Sequence, residues 1–177
     1  MNSPYKIILE TKRLILRHLI REDLADLFAL YSDPEIRQYF PEGVLNLEET
    51  KEELEWHMNG HPKYPELGLW ATIHKETSTF IGRCGLLPWQ IDDKLEVEIA
   101  YLLDKSFWHQ GLATEAAQGI LNYGFEKLNR PRLICLIDPE NIASQRVAER
   151  IGMTLERKVD GIAGDNYPTL IYSINQR

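Results

Sequence analysis

The chain has 177 residues, of which 44% are hydrophobic and 27% are charged, which is an ordinary mix for one globular domain with a real core. Its formal net charge of −7 argues against a nucleic-acid-binding protein, because such proteins need a basic face. No apolar run approaches the length of a membrane helix, and the first 18 residues lack the apolar core of a signal peptide. We therefore expect a single domain over residues 1–177, located in the cytoplasm and independent of membranes.

The cysteines and histidines give no metal-binding pattern. Cys84 and Cys135 both lie inside apolar, strand-like runs, which is typical of buried, reduced thiols. The five histidines have no ligand spacing such as HExxH. We therefore predict no metal site.

Hydrophobic periodicity predicts a mixed order of strands and helices along the chain. Alternating or continuous apolar runs predict strands over residues 13–19, 69–75, 79–91, 94–103, 132–138, 153–161 and 167–175. Helical spacing predicts helices over residues 21–33, 46–60, 112–128 and 141–152, with Asn46 and Asn141 as N-caps. The strand at 94–103, the helix at 112–128 and the strand at 132–138 form a βαβ crossover, so these two strands should be parallel, with a right-handed connection.

The segment "HQGLAT", residues 109–114, joins the strand at 94–103 to the following helix. A helix begins with unpaired backbone N–H groups and a partial positive charge, so its first turn can bind a phosphate when no bulky side chain blocks it. Gly111 and Ala113 keep this turn small. On spacing alone, a tight turn and close helix packing explain these residues as well as a phosphate site does.

Three motifs in order along the chain carry a resemblance to a known family. They are Glu98-Ile99-Ala100-Tyr101, then Trp108-His109-Gln110-Gly111-Leu112-Ala113-Thr114-Glu115-Ala116, then Asn141, Ser144, Glu149, Arg150, Gly152 and Met153. In this order and spacing the chain resembles the GNAT superfamily of acyl-CoA-dependent N-acetyltransferases, and most closely its RimJ/RimL-like branch. The resemblance extends over essentially the whole chain.

The resemblance implies a fold and a cosubstrate. The fold would be of the α/β class (mixed α+β) and GNAT-like, with a central, twisted, mostly antiparallel sheet flanked by helices and a splayed parallel pair, 94–103 and 132–138. Acetyl-CoA would lie in the wedge between these two strands, and no metal would be needed. The implied binding residues are Ile99, Ala100, Tyr101, His109, Gln110, Gly111, Leu112, Ala113, Thr114, Asn141, Ser144 and Arg150.

The resemblance also implies direct attack of an amine on the thioester, with no covalent enzyme intermediate. Backbone groups of residues 99–101 would bind pantetheine and polarise the acetyl carbonyl. Glu98 is the candidate that takes a proton from the substrate ammonium, although it could equally be solvated or salt-bridged, like Glu96. Ser144 is the candidate that protonates the leaving thiolate, although it could instead bond the backbone or CoA. Asn141 could anchor a pantetheine amide or only cap a helix.

Several positions stay open. His109 stands where the branch usually has the first glycine of the loop, and an imidazole can either donate to a phosphate or crowd it. Ala148 stands where the superfamily often has a tyrosine general acid, so the identity of the acid is in doubt. Arg146 and Arg150 could reach the CoA phosphates, although helix-surface arginines are more often solvated.

The acceptor pocket is expected from residues 31–64 and the closing strand pair, with Tyr39, Phe40, Trp56 and Trp89 as candidate lining residues. The predicted reaction moves an acetyl group to a primary amine, either a protein N-terminal α-amine or a small molecule. The alternatives are a non-catalytic acyl-CoA-binding or regulatory module on the same fold, and a phosphate-binding protein unrelated to CoA. The C-terminal edge strands would allow a homodimer.

Overall fold

In residues 6–162 and 166–177, which the computed structural model describes, eight strands and four α-helices are present. The strands are β1 (Ile7–Glu10), β2 (Leu14–His18), β3 (Gly68–His74), β4 (Thr79–Ile91), β5 (Lys94–Leu103), β6 (Arg132–Ile137), β7 (Thr154–Asp160) and β8 (Pro168–Asn175). The helices are α1 (Leu24–Tyr31), α2 (Leu47–Asn59), α3 (Leu112–Glu126) and α4 (Ile142–Arg150). Short 3₁₀ turns span Arg21–Asp23 and Lys105–Phe107.

The strands form one sheet in the order β1-β2-β3-β4-β5-β6-β8-β7. Every neighbouring pair is antiparallel except β5 and β6, which are parallel and are joined through α3. The ladder between these two strands is confined to Glu98 opposite Ile134, so the strands separate toward their C-terminal ends. This architecture confirms the predicted mixed fold with a splayed parallel pair.

Helices cover both faces of the sheet and enclose two main apolar cores. On one face α3 buries Ala116, Ala117 and Ile120 against the strands. Gly124 permits this close approach, because a Cβ there would lie 2.8 Å from Cδ1 of Leu133 on β6. On the other face α1 and α2 bury apolar side chains against the sheet, among them Leu27 and Leu54.

The sequence-based elements agree with the structure within a few residues, with three differences. The strand β1 was not predicted, because it is a short edge strand whose ends are exposed and whose apolar residues show no clear alternation. The helix predicted at 21–33 begins as a 3₁₀ turn in which the Asp23 carboxylate accepts hydrogen bonds from Arg17 and from the Ile20 amide. The helix predicted to reach residue 128 ends at Glu126. Both cysteines are buried, unpaired thiols, as predicted.

Candidate active site

A cavity of about 1220 Å³ opens where β5 and β6 separate. Its walls come from β5, from the turn before α3, from α4 and from the segment between α1 and α2. A typical small-molecule pocket measures roughly 300–1,000 Å³, so this cavity has room for two ligands side by side. The cavity is therefore the candidate active site.

The turn before α3 lines one end of this cavity. Of the six predicted residues at 109–114, five line it, and Gln110 does not. The Gln110 side-chain amide instead donates to the Ser106 carbonyl at 3.2 Å, and the Gln110 carbonyl accepts from Arg13 at 3.0 Å. The contact predicted for Gln110 uses its backbone amide, which the direction of its side chain does not test, so this contact stays a prediction.

Two residues of this turn adopt the left-handed backbone conformation. Gly111, the N-cap of α3, has a φ of 75° and a ψ of 8°. His109 has a φ of 61°, which is uncommon for a residue with a Cβ. His109 thus occupies a backbone conformation that glycine adopts more easily, which explains physically why glycine suits this position in the resembling family.

Glu115, in the first turn of α3, fastens the helix to the turn between β1 and β2. Its carboxylate accepts hydrogen bonds from the Thr11 hydroxyl at 2.6 Å, from the Arg13 amide at 2.7 Å and from Arg13 Nε at 2.6 Å. Burial raises the pKa of Glu115, but these hydrogen bonds outweigh it and lower the pKa overall. Glu115 is therefore a structural residue that holds the N-terminus of α3 in place.

Glu98 lies on the cavity wall, where β5 meets β6. The Trp89 indole nitrogen donates a 2.7 Å hydrogen bond to Glu98 Oε2, and Glu98 forms no ion pair with any residue in the described ranges. Its neighbour Glu96, in contrast, pairs with Arg132 at 3.0 Å. Burial raises the pKa of Glu98 to about 7, so this carboxyl group changes charge near neutral pH.

The hydroxyl groups of Tyr101 and Ser144 meet across the wedge. The Tyr101 hydroxyl lies 2.9 Å from Ser144 Oγ and donates to the Ser144 carbonyl at 3.0 Å. Burial raises the pKa of Tyr101 well above its usual range, so its hydroxyl stays protonated. Asn141 Oδ1 accepts from the Ser144 amide at 3.1 Å and so caps α4. The resemblance implies a role for the backbone of Tyr101, and the structure adds its hydroxyl group to the site.

Cys135 on β6 lies on the opposite side of the wedge from Ile99. Its thiol donates to the Ile99 carbonyl at 3.3 Å, so this carbonyl, which was expected to be open to pantetheine, already has a partner. Ala100 and Tyr101 lie further along the separated part of β5 and line the cavity. The Ile99 carbonyl keeps a second lone pair, and the next backbone groups that face the gap are those of Tyr101.

The remaining predicted residues also have clear positions. Arg146 and Arg150 are exposed at the rim of the cavity. Ala148 is fully buried in the core, so α4 supplies no hydroxyl group at that position. The four aromatic residues proposed for the acceptor pocket all line the cavity: Tyr39, Phe40, Trp56 and Trp89.

Sequence reasoning missed several polar side chains on the cavity wall. Arg83 on β4 is buried and lines the cavity. Glu53 of α2 also lines the cavity. Tyr167 donates a hydrogen bond to Asp138, and both of these residues also line the cavity. One signal was available: Arg83 is the one charged residue in the otherwise apolar run 79–91.

Within 6–162 and 166–177, no group of three or more histidine, cysteine, aspartate or glutamate side chains is arranged to hold a metal ion. None of the helices in these ranges combines the length and the hydrophobicity that a membrane crossing requires.

The amino-acid sequence of this chain matches a known protein family over most of its length. Residues 13–154 match the family model of the acetyltransferase (GNAT) domain. The chain is 36% identical over 160 residues to the uncharacterized protein YkkB of Bacillus subtilis, covering 90% of this chain and 91% of YkkB. It is 32% identical over 147 residues to the uncharacterized N-acetyltransferase YnaD of the same organism, covering 82% of each.

A solved structure shares the fold. It is RimL, the ribosomal L7/L12 alpha-N-protein acetyltransferase, in complex with coenzyme A as a CoA–cysteine disulfide. The TM-score is 0.77 at 21% identity, and the match covers 96% of this chain and 98% of that one. The family match over most of the chain, together with the splayed β5–β6 pair and the turn before α3, shows that this protein is a member of the GNAT acetyltransferase family.

Proposed function

We propose that the protein transfers an acetyl group from acetyl-CoA to a primary amine, by direct attack of the amine within a ternary complex. One observation carries the proposal: the half-buried Glu98 carboxyl, with a pKa of about 7, lines the same cavity as the glycine turn of α3 and the Ser144–Tyr101 pair. A base that titrates near neutral pH is what the deprotonation of an ammonium group requires.

The turn before α3 is suited to the pyrophosphate of the cosubstrate. The first backbone N–H groups of α3 have no partner within the helix, and the helix dipole adds a partial positive charge. A Cβ placed on Gly111 would find its nearest neighbour, Arg13 Nη2, only at 3.7 Å, so an anion can approach this backbone. Arg146 and Arg150 at the rim are placed to interact with further phosphate oxygens.

Pantetheine would extend from this turn into the gap between β5 and β6. The backbone of Tyr101 lies where the strands have separated, and its N–H and C=O groups can bond a ligand instead of a neighbouring strand, whereas the backbone groups of Ala100 face β4. The CoA complex of RimL, which has the same fold, supports this placement. Acetyl-CoA supplies the thioester, and backbone N–H groups of this stretch polarise its carbonyl.

Two proton transfers complete the reaction. Ionised Glu98 accepts a proton from the substrate ammonium, directly or through one water molecule. Ser144 Oγ donates a proton to the leaving thiolate and takes one from the Tyr101 hydroxyl at 2.9 Å, which takes a proton from solvent in turn and so returns to its protonated form. This pair supplies the hydroxyl chemistry that Ala148 cannot.

The acceptor is a protein N-terminal α-amine or a small-molecule amine, and the likeness to RimL favours the peptide slightly. The protein is expected to act in the cytoplasm. β7 lies at an edge of the sheet, where it could pair with a second copy in a homodimer.

The first test is a calorimetric titration of the purified protein with acetyl-CoA, with free CoA for comparison. Micromolar binding followed by thiol release with an amine and peptide panel would support the proposal. Binding without turnover of any amine would favour the non-catalytic module instead. No binding of acetyl-CoA would overturn both.

A further inference from the structure

A polar cluster lies on the sheet face that α1 and α2 cover, where the α1–α2 region meets β4. It comprises Tyr31 of α1, Arg37 and Glu53 from the α1–α2 region, and Arg83 of β4. Arg83 and Arg37 are 5% and 4% exposed, respectively, and both line the cavity. Burying two guanidinium groups costs free energy unless each charge has a partner. Their position on the cavity wall therefore indicates a role in ligand binding.

Arg83 has hydrogen-bonding capacity that the described protein residues do not use. A guanidinium group has five N–H donors. The Arg83 Nε–H donates to the Tyr31 hydroxyl at 3.0 Å, and Tyr31 in turn donates to Glu53 Oε1 at 3.1 Å. Within residues 6–162 and 166–177, Nη1 and Nη2 of Arg83 donate to no protein atom. A buried, cavity-lining cation thus presents a planar pair of donors to whatever occupies the cavity.

The cluster also carries an excess of positive charge. Arg37 Nε donates to the Gly43 carbonyl at 2.7 Å, and its guanidinium carbon lies 4.1 Å from the centre of the Phe40 ring. Its nearest carboxylate, Glu42, is 3.8 Å away and well exposed, so that interaction is weak. Burial and, after it, the charge of Arg83 lower the pKa of Arg37, which shows that the two cations repel each other.

Glu53, which is half-buried, is the carboxylate that acts on both arginines, whereas Glu98 acts on Arg83. Glu53 also lies 3.6 Å from His57 Nε2, and it accepts from Tyr31. Glu53 alone cannot neutralise two guanidinium groups, and Glu98, which also interacts with Arg83, forms no ion pair with it, so part of the positive charge has no paired carboxylate among the described residues. A monovalent anion from a ligand would balance it, and a carboxylate matches the planar guanidinium in both shape and charge.

The register of the β4–β5 hairpin places this charge on the same sheet face as Glu98. Arg83 pairs with Leu102, Gly85 with Ala100 and Leu87 with Glu98, so all of these side chains share one face. The smallest of them, Gly85 and Ala100, lie between Arg83 and Glu98. Residues 83 and 87 are four steps apart, or roughly 13 Å along β4, and the long Arg83 side chain shortens the remaining gap.

We propose that Arg83 binds a carboxylate group of the acceptor, so that the acceptor is an amine that also carries a carboxylate, as an amino acid does. This inference rests on the proposed acetyl transfer and specifies its substrate class. In this arrangement the carboxylate contacts Nη1 and Nη2 of Arg83, and the amine lies over Ala100, between Glu98 and the thioester. Phe40, Trp56 and Trp89 surround the intervening part with apolar surface.

The first experiment measures binding alone and needs no turnover. Calorimetry of the CoA-saturated protein compares 3-phenylpropanoate with 3-phenylpropanamide, which have the same shape but differ in charge. We expect the carboxylate to bind roughly tenfold more tightly or better. Equal affinities for the two probes would overturn the inference. The same probes can be titrated into protein without CoA, so their affinities can be compared even if acetyl-CoA does not bind.

Variants assign the preference to Arg83. Arg83→Gln should abolish the difference between the two probes. Arg157→Gln is the matched control, since Arg157 is exposed on β7, pairs with Asp92 and does not line the cavity. Arg157→Gln also removes one positive charge, and it should leave the difference in affinity between the two probes unchanged. A preference that survives Arg83→Gln would place the carboxylate elsewhere and overturn the assignment.

A turnover assay separates ligand binding from a purely structural role. Arg83→Gln should raise KM for phenylalanine by roughly tenfold or more and leave KM for phenethylamine, which lacks the carboxylate, nearly unchanged. An equal loss with both amines would show that Arg83 only supports the fold. If no amine is acetylated although the carboxylate probe binds, the proposed transfer fails and the anion subsite stands.

Discussion

The Trp89 indole nitrogen and the Glu98 carboxylate are joined by a 2.7 Å hydrogen bond across the β4–β5 hairpin. Burial raises the pKa of Glu98 to about 7, while the indole donor favours the ionised form and opposes that rise. The bond also fixes the direction of the carboxyl group on the cavity wall. The position of the carboxyl group thus depends on Trp89, whereas its titration near neutral pH is due first to burial, which Trp89, Arg83 and the Leu136 backbone oppose.

Replacing Glu98 by glutamine should change how stability depends on pH. A carboxyl whose folded pKa is about 7, above its ordinary value of 4.5, holds its proton more tightly in the folded state. Its contribution to the free energy of unfolding is therefore full below pH 4.5 and is lost as the pH rises through 7. Since glutamine does not titrate, Glu98→Gln should be more stable than wild type by about 3 kcal/mol above neutral pH, and equal to it in acid.

Urea unfolding across this pH range measures the difference directly. Glu96→Gln is the control, because Glu96 lies two residues away on the same strand face but pairs with Arg132. That variant should show no gain in stability as the pH rises. Parallel stability curves for Glu98→Gln and wild type would mean that Glu98 has an ordinary pKa.

Removing the indole donor should shift the pH–rate profile. In Trp89→Phe the ionised form of Glu98 loses a hydrogen bond, so the pKa of Glu98 should rise further. A hydrogen bond to a charged group contributes about 1.5–3 kcal/mol, so the rising limb of kcat/KM should move about one to two pH units toward alkali. Glu98→Gln should lack this limb altogether. An unshifted limb in Trp89→Phe would assign the titration to another group.

Much of this hairpin could be predicted from the sequence. The alternation over 79–91 and 94–103 gave the bounds of β4 and β5 as the structure has them. Asp92 and Asp93 both have positive φ values, as the two-residue turn of a tight hairpin requires. Such a turn fixes the register, so the contact between Trp89 and Glu98 follows from local chain geometry.

The rest of the site depends on contacts between distant parts of the chain. Tyr101 and Ser144 meet because the β5–β6 ladder ends at Glu98 and α4 packs beside the gap, which no local pattern specifies. Arg83 and Tyr31 are 52 residues apart and belong to different layers. Periodicity indicates which face of an element is buried, but it does not give the partner of a buried charge.

The Ser144–Tyr101 pair should act as a unit in turnover. Ser144→Ala removes one partner of the Tyr101 hydroxyl but leaves the backbone carbonyl bond at 3.0 Å, so the tyrosine should stay in place. Proton transfer by a positioned group typically contributes about 10²–10⁴-fold, and we expect each of Ser144→Ala and Tyr101→Phe to lower kcat by about a hundredfold. The affinity for acetyl-CoA should change much less.

A double-mutant cycle tests whether the two hydroxyl groups cooperate. If they form one proton path, the double variant should be little worse than either single variant. Fully additive losses would mean that they act independently. Unchanged kcat in Ser144→Ala would remove Ser144 from the mechanism.

His109→Gly should relieve backbone strain in the turn before α3. A residue with a Cβ at a φ of 61° costs roughly 1–2 kcal/mol, and the entropy loss of a glycine offsets roughly 0.5–1 kcal/mol of that. We therefore expect the free energy of unfolding to rise by roughly 0.5–1 kcal/mol. The affinity for acetyl-CoA should be maintained, because the proposed contacts use backbone N–H groups. A tenfold weaker affinity would instead show that the imidazole donates to a phosphate.

The sharpest test of the cosubstrate site compares two substitutions at Gly111. Both Gly111→Ala and Gly111→Glu place a Cβ on a residue with a φ of 75°, so both should lose a similar roughly 1–2 kcal/mol of stability to strain. The alanine Cβ has space, since its nearest neighbour would be Arg13 Nη2 at 3.7 Å. The glutamate adds bulk and a negative charge at the N-terminal end of α3, where the pyrophosphate would bind. Calorimetry should therefore show acetyl-CoA binding that is nearly normal in Gly111→Ala and abolished in Gly111→Glu, whereas equal affinities in the two folded variants would mean that the pyrophosphate binds elsewhere.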